Sequence, residues 1–411
     1  RGALLGDEMG LGKTLTALLA ARVMVKTAQV EVMVVAPIGL HAHWRNEANV
    51  LDLEIDLRSW SSLPQELSSS GTLLVVDEAH FAQSLNAKRT KALLRLARHP
   101  RLRAIWLLTG TPMKNGRPSQ LYPLLVAIGH PLAIDKSIYE KYFCNGHWRE
   151  LSGRRVWDCN GADHLEELRR LVRPQILHRT KHSIFSLPPK IRQEHSVALT
   201  TSESIGFDHR LYLVVDEYRN RVKQGLVKSD AESLVVLTAL RKISAEFKLP
   251  SATQLLTSLM RQGKAIVLFS SFVEPLQLLK AYVGGELLTG RQTLKERETV
   301  VNKFQGGDTP LLLATYGTGG LGLTLHRARH VVLLERPWTP GDVVQAEDRC
   351  HRLGMTGPLV SHWLKLGFAD QLVDSLLTSK AERIEVLMGS RRVNLKRQPL
   401  STMFRSCLHE F

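Results

Sequence analysis

The chain has 411 residues, 44% of them hydrophobic and 23% charged, which suits two or three domains with sizeable cores and excludes a disordered or coiled-coil chain. Lys and Arg total 55 against 39 Asp and Glu, a net charge of +16 that attracts polyanions and points to nucleic acid, with a merely basic, solvated surface as the alternative. No apolar run approaches the ~18 residues of a membrane span. The four cysteines form no C-x-x-C pair, so the reading is of a reduced, intracellular protein without a zinc or disulfide framework. Arg1 in place of an initiator Met is expected of a sequence that starts within a longer product.

In the first half, short apolar runs alternate with helical patterns. Ala3–Leu5 reads as a strand fragment, Thr14–Val25 as a helix, Val30–Ala36 as a strand and Ile38–Asn49 as a helix. Thr72–Val76 and Arg103–Leu108 are further strands. Such alternation implies a mostly parallel sheet with helices on both faces. The middle, His164–Leu171 and Ser204–Leu259, reads as helical, with Leu234, Leu237, Leu240 and Ile243 at helical spacing. Leu187–Lys190 is a stiff, proline-marked connector. Alternation restarts with strand Ala265–Phe269, helix Val273–Tyr282, helix Arg297–Phe304 and strands Pro310–Ala314 and His330–Leu334. The fold class is therefore α/β. An N-terminal lobe is expected over 1–185, a helical linker or insert over 186–254, a second lobe over 255–375, and a brace helix with a basic tail over 376–411.

Gly10, Gly12, Lys13 and Thr14 stand in G-D-E-M-G-L-G-K-T, between a short strand and a helix, the context of a phosphate-binding loop. Glycines let the backbone approach phosphate oxygens, and the helix N-terminus points N–H groups at them. Lys13 would bridge the β- and γ-phosphates and the Thr14 hydroxyl would hold Mg²⁺. The strict pattern asks for Gly at the position of Asp7, one residue after Gly6. Leu73-Leu74-Val75-Val76-Asp77-Glu78-Ala79-His80 is an apolar strand that ends in two carboxylates. Asp77 is placed to reach the Mg²⁺ shell, and Glu78 to polarise an attacking water. Gln345 to Gly354 puts Arg349 and Arg352 three residues apart, on one helical face, as donors for the charge of a transferring phosphoryl group. The bland alternative is a surface helix whose Glu347 or Asp348 pairs with these arginines.

The ordered set D-E-M-G-L-G-K-T, D-E-A-H, L-T-G-T-P and Q-A-E-D-R-C-H-R-L-G resembles superfamily-two helicases in their Swi/Snf-type form. Val35-Ala36-Pro37 through Glu47, Val267 to Phe272, Gly319 to Leu325, Glu335 to Pro340 and Gly367 to Asp370 are similar to further family segments, so the likeness spans nearly the whole chain. Arg117 to Pro123 and His178 to Lys190 are similar to the annealing and fork-remodelling subgroup. Met355 stands where the family usually has Gln, and Thr324 where it has Asn.

The resemblance implies two RecA-like parallel-sheet lobes around a helical insert. It implies an ATP site that includes Asp7, Glu8, Met9, Gly10, Leu11, Gly12, Lys13 and Thr14, with Mg²⁺ on Thr14 and Asp77. Lys13, Asp77, Glu78, Gln345, Arg349 and Arg352 carry the catalysis, and Pro37, Thr109, Gly110, Ser271 and Thr315 lie near the DNA track. The expected activity is ATP-dependent translocation on, or remodelling of, duplex DNA by a monomer blind to sequence. A strand-separating DNA or RNA helicase and an ATP-gated DNA scaffold are the alternatives.

Overall fold

The computed structural model describes residues 2–68, 71–151, 154–224, 230–319, 323–352 and 354–388. Gly320, Leu321, Gly322, Leu353 and the basic tail after Met388 lie outside them. The described residues form two compact units, one built from 2–148, 157–186 and 380–388, the other from the rest.

The first part of the chain runs β1 (Gly2–Leu5), α1 (Lys13–Ala28), β2 (Glu31–Val35), α2 (His41–Val50), β3 (Asp56–Arg58), β4 (Thr72–Val76), α3 (Lys88–Ala97) and β5 (Leu102–Leu108). It continues through α4 (Pro118–Ile128), α5 (Lys136–Phe143), the paired strands β6 (His147–Leu151) and β7 (Arg154–Asp158), α6 (Leu165–Val172), β8 (Ile176–Leu177) and the single turn α7 (Lys181–Ile184). The sheet of the first unit has the order β3-β2-β4-β5-β1-β8 and is parallel at every pairing. Val32, Val34, Leu73 and Val75 alternate onto one face, where Ala17, Leu18 and Ala21 of α1 and Trp44 and Ala48 of α2 cover them. Local chemistry starts the helices: Pro118 opens α4, and the Asp135 carboxylate accepts from the N–H groups of Ser137 (2.7 Å) and Ile138 (3.1 Å) to cap α5.

The later part runs β9 (Lys190–Ser196), α8 (Thr201–Lys223), α9 (Asp230–Phe247), α10 (Leu249–Arg261), β10 (Ile266–Ser270), α11 (Val273–Val283), β11 (Glu286–Leu288) and α12 (Leu294–Gly306). Then come β12 (Leu311–Thr315), α13 (Tyr316–Gly319), β13 (His330–Leu333), α14 (Pro340–Cys350), β14 (Leu359–Lys365) and α15 (Gly367–Met388). The sheet order is β11-β12-β10-β13-β14-β9, again all parallel. Val267, Phe269, Leu312, Ala314, Val331 and Leu333 fill one face, and Ile266, Leu268, Leu311, Leu313 and Val332 the other. Both faces are therefore dry, which is why these strands read as continuous apolar runs. Phe207, Leu211 and Val215 of α8 meet Leu237, Leu240 and Ile243 of α9 in a helical core of their own.

The α/β class with two parallel-sheet units is what the strand–helix alternation predicts. The proline-marked connector is followed by a strand and not by the helical insert read over 186–254: Lys190–Ser196 is β9. It pairs with β14 over seven residues, from Lys190 opposite Leu359 to Ser196 opposite Lys365. Its polar sequence, K-I-R-Q-E-H-S, hides the strand because it lies at the sheet edge with one long side in water.

Three imidazoles form a diagonal ladder across this edge. His195 Nε2 lies 2.9 Å from His362 Nδ1, and His362 Nε2 lies 3.0 Å from His330 Nδ1. Burial, then the two neighbouring rings, push His362 from its ordinary 6.5 down to about 4. Burial, then Lys264, also lower His330. A depressed histidine stabilises the fold fully above its unfolded pKa, and that stability is lost as pH falls toward the folded value. Denaturant unfolding of the chain is expected to show a loss of second-unit stability between about pH 6.5 and 4. His362→Gln should flatten that dependence; an unchanged slope in the variant would assign the acid sensitivity elsewhere.

Candidate active site

β1 delivers the chain into Gly6–Gly12, and α1 begins at Lys13. Gly10 (φ +82°) and Gly12 (φ +73°) take left-handed backbone, which lets the loop curl ahead of the helix. Gly12 is the cap residue of α1; the cap makes no side-chain hydrogen bond, and the first turn carries no acidic residue. The positive end of a 16-residue helix therefore faces the loop with no carboxylate from its own first turn against it. Lys13 Nζ donates to the carbonyls of Asp7 (2.8 Å) and Glu8 (3.1 Å), spanning the loop from below. Leu11 is buried, Thr14 and Met9 are half-buried, and Gly10 is exposed. The carboxylate of Asp7 is fully buried and accepts from Arg179, so Asp7 meets Lys13 through its backbone oxygen only.

β4 carries Asp77 and Glu78 at its end, anchored by the Asp77 N–H on the Val35 carbonyl (2.7 Å). Asp77 is buried; one carboxylate oxygen accepts from Trp44 Nε1 (2.9 Å) and the other from the Glu78 N–H (2.8 Å). Burial, reinforced by the adjacent Glu78, pushes the Asp77 carboxyl up to about 6. Trp60 Nε1 donates to the Asp77 carbonyl at 3.1 Å. Glu78 itself is left-handed (φ +49°), a strained conformation for a residue with a side chain. Its carboxylate lies 3.1 Å from His80 Nδ1, which in turn lies 3.3 Å from the Thr109 hydroxyl.

Thr109 belongs to the turn after β5. Its N–H donates to the Leu5 carbonyl (3.1 Å), and its hydroxyl accepts from the Thr111 N–H (3.1 Å). Gln83 holds the same turn through the carbonyls of Thr111 (3.1 Å) and Pro112 (2.8 Å). At Gly110 a Cβ would stand 3.0 Å from Met9 Cγ and 3.5 Å from Lys13 Nζ, so glycine is what lets this turn lie against the phosphate loop. The phosphate loop, the carboxylate pair and the L-T-G-T-P turn are thus one assembly in the first unit. Pro37 and Thr109 are buried in it, and Gly110 is half-buried.

In the second unit, the Thr339 hydroxyl caps α14 by accepting from the Asp342 N–H at 3.2 Å. Gln345, Glu347, Asp348 and Arg349 are all buried on this helix. The helix ends at Cys350, and His351 has left helical geometry (ψ 82°). Arg349 and Arg352 therefore do not share one helical face, as their spacing suggests. Arg352 turns back instead, donating to the Asp348 carbonyl (3.0 Å) and the Thr324 hydroxyl (2.8 Å). Close by in sequence, Glu335 is fully buried and raised, first by burial, with Arg241 opposing. It accepts from the Ser270 hydroxyl (3.0 Å) and the Ser271 N–H. Arg336 makes a two-pronged pair with Asp374 (2.6 and 2.7 Å). Ser271 is exposed and takes a hydrogen bond from Arg241 (3.0 Å); Thr315 is half-buried, its hydroxyl 2.8 Å from that of Thr318.

Sequence reasoning gave no role to Trp44, Trp60 or Arg179, which fix Asp77 and Asp7. Trp44 and Arg179 lie inside segments noted for their resemblance, which is the one signal that could have found them.

A model of the SNF2-related domain matches residues 1–51 and 57–249, and a model of the helicase conserved C-terminal domain matches residues 248–354. The human DNA annealing helicase and endonuclease ZRANB3 is 28% identical over 96% of this chain and 39% of its own length. The putative ATP-dependent helicase/translocase YwqA of Bacillus subtilis is 24% identical over 98% of this chain and 48% of its own. The SWI/SNF-related matrix-associated actin-dependent regulator of chromatin subfamily A-like protein 1 of Xenopus tropicalis is 26% identical over 93% and 42%. The chain thus spans less than half the length of these curated relatives. Among solved structures, the Sulfolobus solfataricus SWI2/SNF2 ATPase core in complex with dsDNA covers 94% of this chain and 89% of its own, at 22% identity and a TM-score of 0.41.

Removing the Thr109 hydroxyl leaves the half-buried Thr111 N–H without its acceptor and His80 without its neighbour. Thr109→Val is expected to cost about 1–3 kcal/mol in denaturant unfolding, and Thr109→Ser to restore most of it. Equal stability of wild type and Thr109→Val would show that the turn is held without this hydroxyl.

Proposed function

The chain belongs to the SNF2-related family of helicase-like, nucleic-acid-dependent ATPases, and from that membership we propose that it uses ATP hydrolysis to move along duplex DNA. The observation that carries this reading is the division of the chemistry. The phosphate loop and carboxylates belong to the first unit, the arginines of α14 to the second. Turnover then waits for Arg349 and Arg352 to reach a nucleotide held by Lys13, and DNA that engages both units favours that state.

Mg²⁺ fits the donors present. Thr14 and Asp77 would hold it: a hydroxyl and a buried carboxylate beside a second carboxylate, hard oxygen donors whose mutual repulsion a divalent cation relieves. Among the described residues no group of three or more His, Cys, Asp or Glu could cage a metal, which suits an ion bound mainly through phosphates and water. The chemistry it supplies when bound is neutralisation of charge on the β- and γ-phosphates. Glu78, oriented by His80, polarises the attacking water. Lys13 exchanges its two loop carbonyls for phosphate oxygens. The net charge of +16 supports backbone tracking without base readout, with Ser271 and Thr315 on the second unit and the Thr109 turn on the first beside the track. One relative is named a DNA annealing helicase, which supports DNA as the working substrate. The motor acts as a monomer inside the cell, and other proteins direct it to its sites. No helix among the described residues is long and apolar enough to cross a membrane.

Steady-state ATPase rates with duplex DNA, single-stranded DNA, RNA and no nucleic acid test the reading. Duplex DNA should stimulate most, and stimulation should fall steeply with salt. Glu78→Gln should keep ATP binding and lower turnover by roughly 10²-fold or more. Lys13→Ala should abolish both, and Arg352→Ala should leave ATP affinity within a few fold while losing about 10³-fold in DNA-stimulated rate. RNA as the best activator would place the chain among RNA helicases, and an Arg352→Ala variant still stimulated by DNA would remove Arg352 from the chemistry.

A further inference from the structure

The chain passes from the first unit to the second through residues 178–192, and each end of that stretch is fastened to a different half of the catalytic apparatus. At the first end, within the first unit, the backbone zips along the phosphate loop. The Gly6 N–H donates to the Leu177 carbonyl (2.7 Å) and the Glu8 N–H to the Arg179 carbonyl (3.1 Å). Side chains reinforce the zipper. The Arg179 N–H donates to one Asp7 carboxylate oxygen (2.9 Å), and its guanidinium grips the other through Nε (2.9 Å) and Nη2. The Lys181 N–H donates to the Glu8 carboxylate (2.6 Å). The Lys181 side chain passes 3.6 Å from where a Cβ on Gly10 would stand. The Asp7–Glu8 peptide held this way is also one whose carbonyl receives Lys13. Asp7 is fully buried, and Arg179 is its ion-pair partner.

At the second end, within the second unit, the same stretch grips the arginine helix. His351 Nε2 lies 2.7 Å from the Pro188 carbonyl, and the Leu359 N–H donates to the Pro189 carbonyl (3.1 Å). Lys190 Nζ bonds Glu347 (3.2 Å) and Asp348 (3.1 Å). Arg192 makes a two-pronged pair with Glu347 (3.1 and 2.9 Å), which also accepts from the Ser361 hydroxyl (2.9 Å). Burial alone would raise Glu347, yet Lys190 and Arg192 hold it below its ordinary value. Glu347 and Asp348 directly precede Arg349, and the Asp348 carbonyl takes Arg352.

We propose that residues 178–192 are a two-ended strap, with Arg179 as a positioning residue for the phosphate loop and Lys190 and Arg192 as positioning residues for the catalytic arginines. The proposal rests on the ATPase reading above. It goes further in giving the connector a part in setting both half-sites. Pro188 and Pro189 fix the backbone where the second anchor begins, so that the strap enters the arginine helix's surroundings in one set conformation.

The two ends should leave different kinetic signatures with duplex DNA as activator. Arg179→Lys keeps a charge for Asp7 but gives up the two-pronged grip; it should raise the KM for ATP about tenfold with kcat within about twofold. Arg192→Lys, the conservative change at the other end, should lower kcat about tenfold with KM unchanged. A Gly-Gly-Ser insertion after Ser186 keeps every anchor and should lower DNA-stimulated kcat while leaving the affinity for a fluorescent ATP analogue within about twofold. Thermal unfolding of each variant identifies any that fail to fold, and the insertion, which removes no side chain, keeps the test open in that event. Wild-type stimulation combined with wild-type kcat and KM in all three folded variants would overturn the strap. So would KM and kcat moving together at both ends. A wild type that DNA does not stimulate would overturn the ATPase reading instead.

Discussion

A carboxylate withdrawn from water must find donors or give up its charge, and this chain places such carboxylates at each point where its catalytic parts are joined. Asp7 accepts from Arg179, Glu335 from the Ser270–Ser271 turn with Arg241 nearby, and Glu347 from Lys190, Arg192 and Ser361. In each case the buried acid fixes a backbone segment: the loop before α1, the turn after β10 and helix α14. Asp77 has fewer donors, Trp44 and one N–H, with another carboxylate next door; burial raises it, as it raises Glu335, and takes it up to about 6. A site left short of positive charge in this way suits a ligand that brings its own.

The parallel sheets explain why the functional groups gather. The phosphate loop follows β1, Asp77 follows β4 and the Thr109 turn follows β5, adjacent strands whose carboxyl ends lie together. In the second unit Ser271 follows β10, Thr315 ends β12 and Glu335 follows β13, again neighbours in the sheet. The dry faces of each sheet keep the strands in register, and the strand ends then need only short turns to place chemistry.

How much of this the sequence reveals follows from how each feature is encoded. Strands buried on both faces, such as Thr72–Val76 and Ile266–Ser270, are uniform apolar runs and stand out. Gly10 and Gly12 announce a loop because few other residues accept their backbone angles. β8, with two residues, and β9, almost wholly polar, carry no periodic signal, so the edges of both sheets escape notice. The helical spacing of Arg349 and Arg352 misleads because a helix end depends on tertiary partners, here His351 on the Pro188 carbonyl. Side-chain pairings more than a hundred residues apart, such as Arg179 with Asp7, leave no local trace at all.

The strands at the margins also bear on how the molecule keeps to itself. An open sheet edge is a template on which a second chain could add a strand. Here β3, β11 and β8 offer two or three residues each, too few to hold a foreign strand. The long margin of the second sheet, β9, carries Lys190, Arg192 and Glu194 along a mostly exposed strand. A neighbour approaching it would have to desolvate charges of both signs before making its first ladder bond.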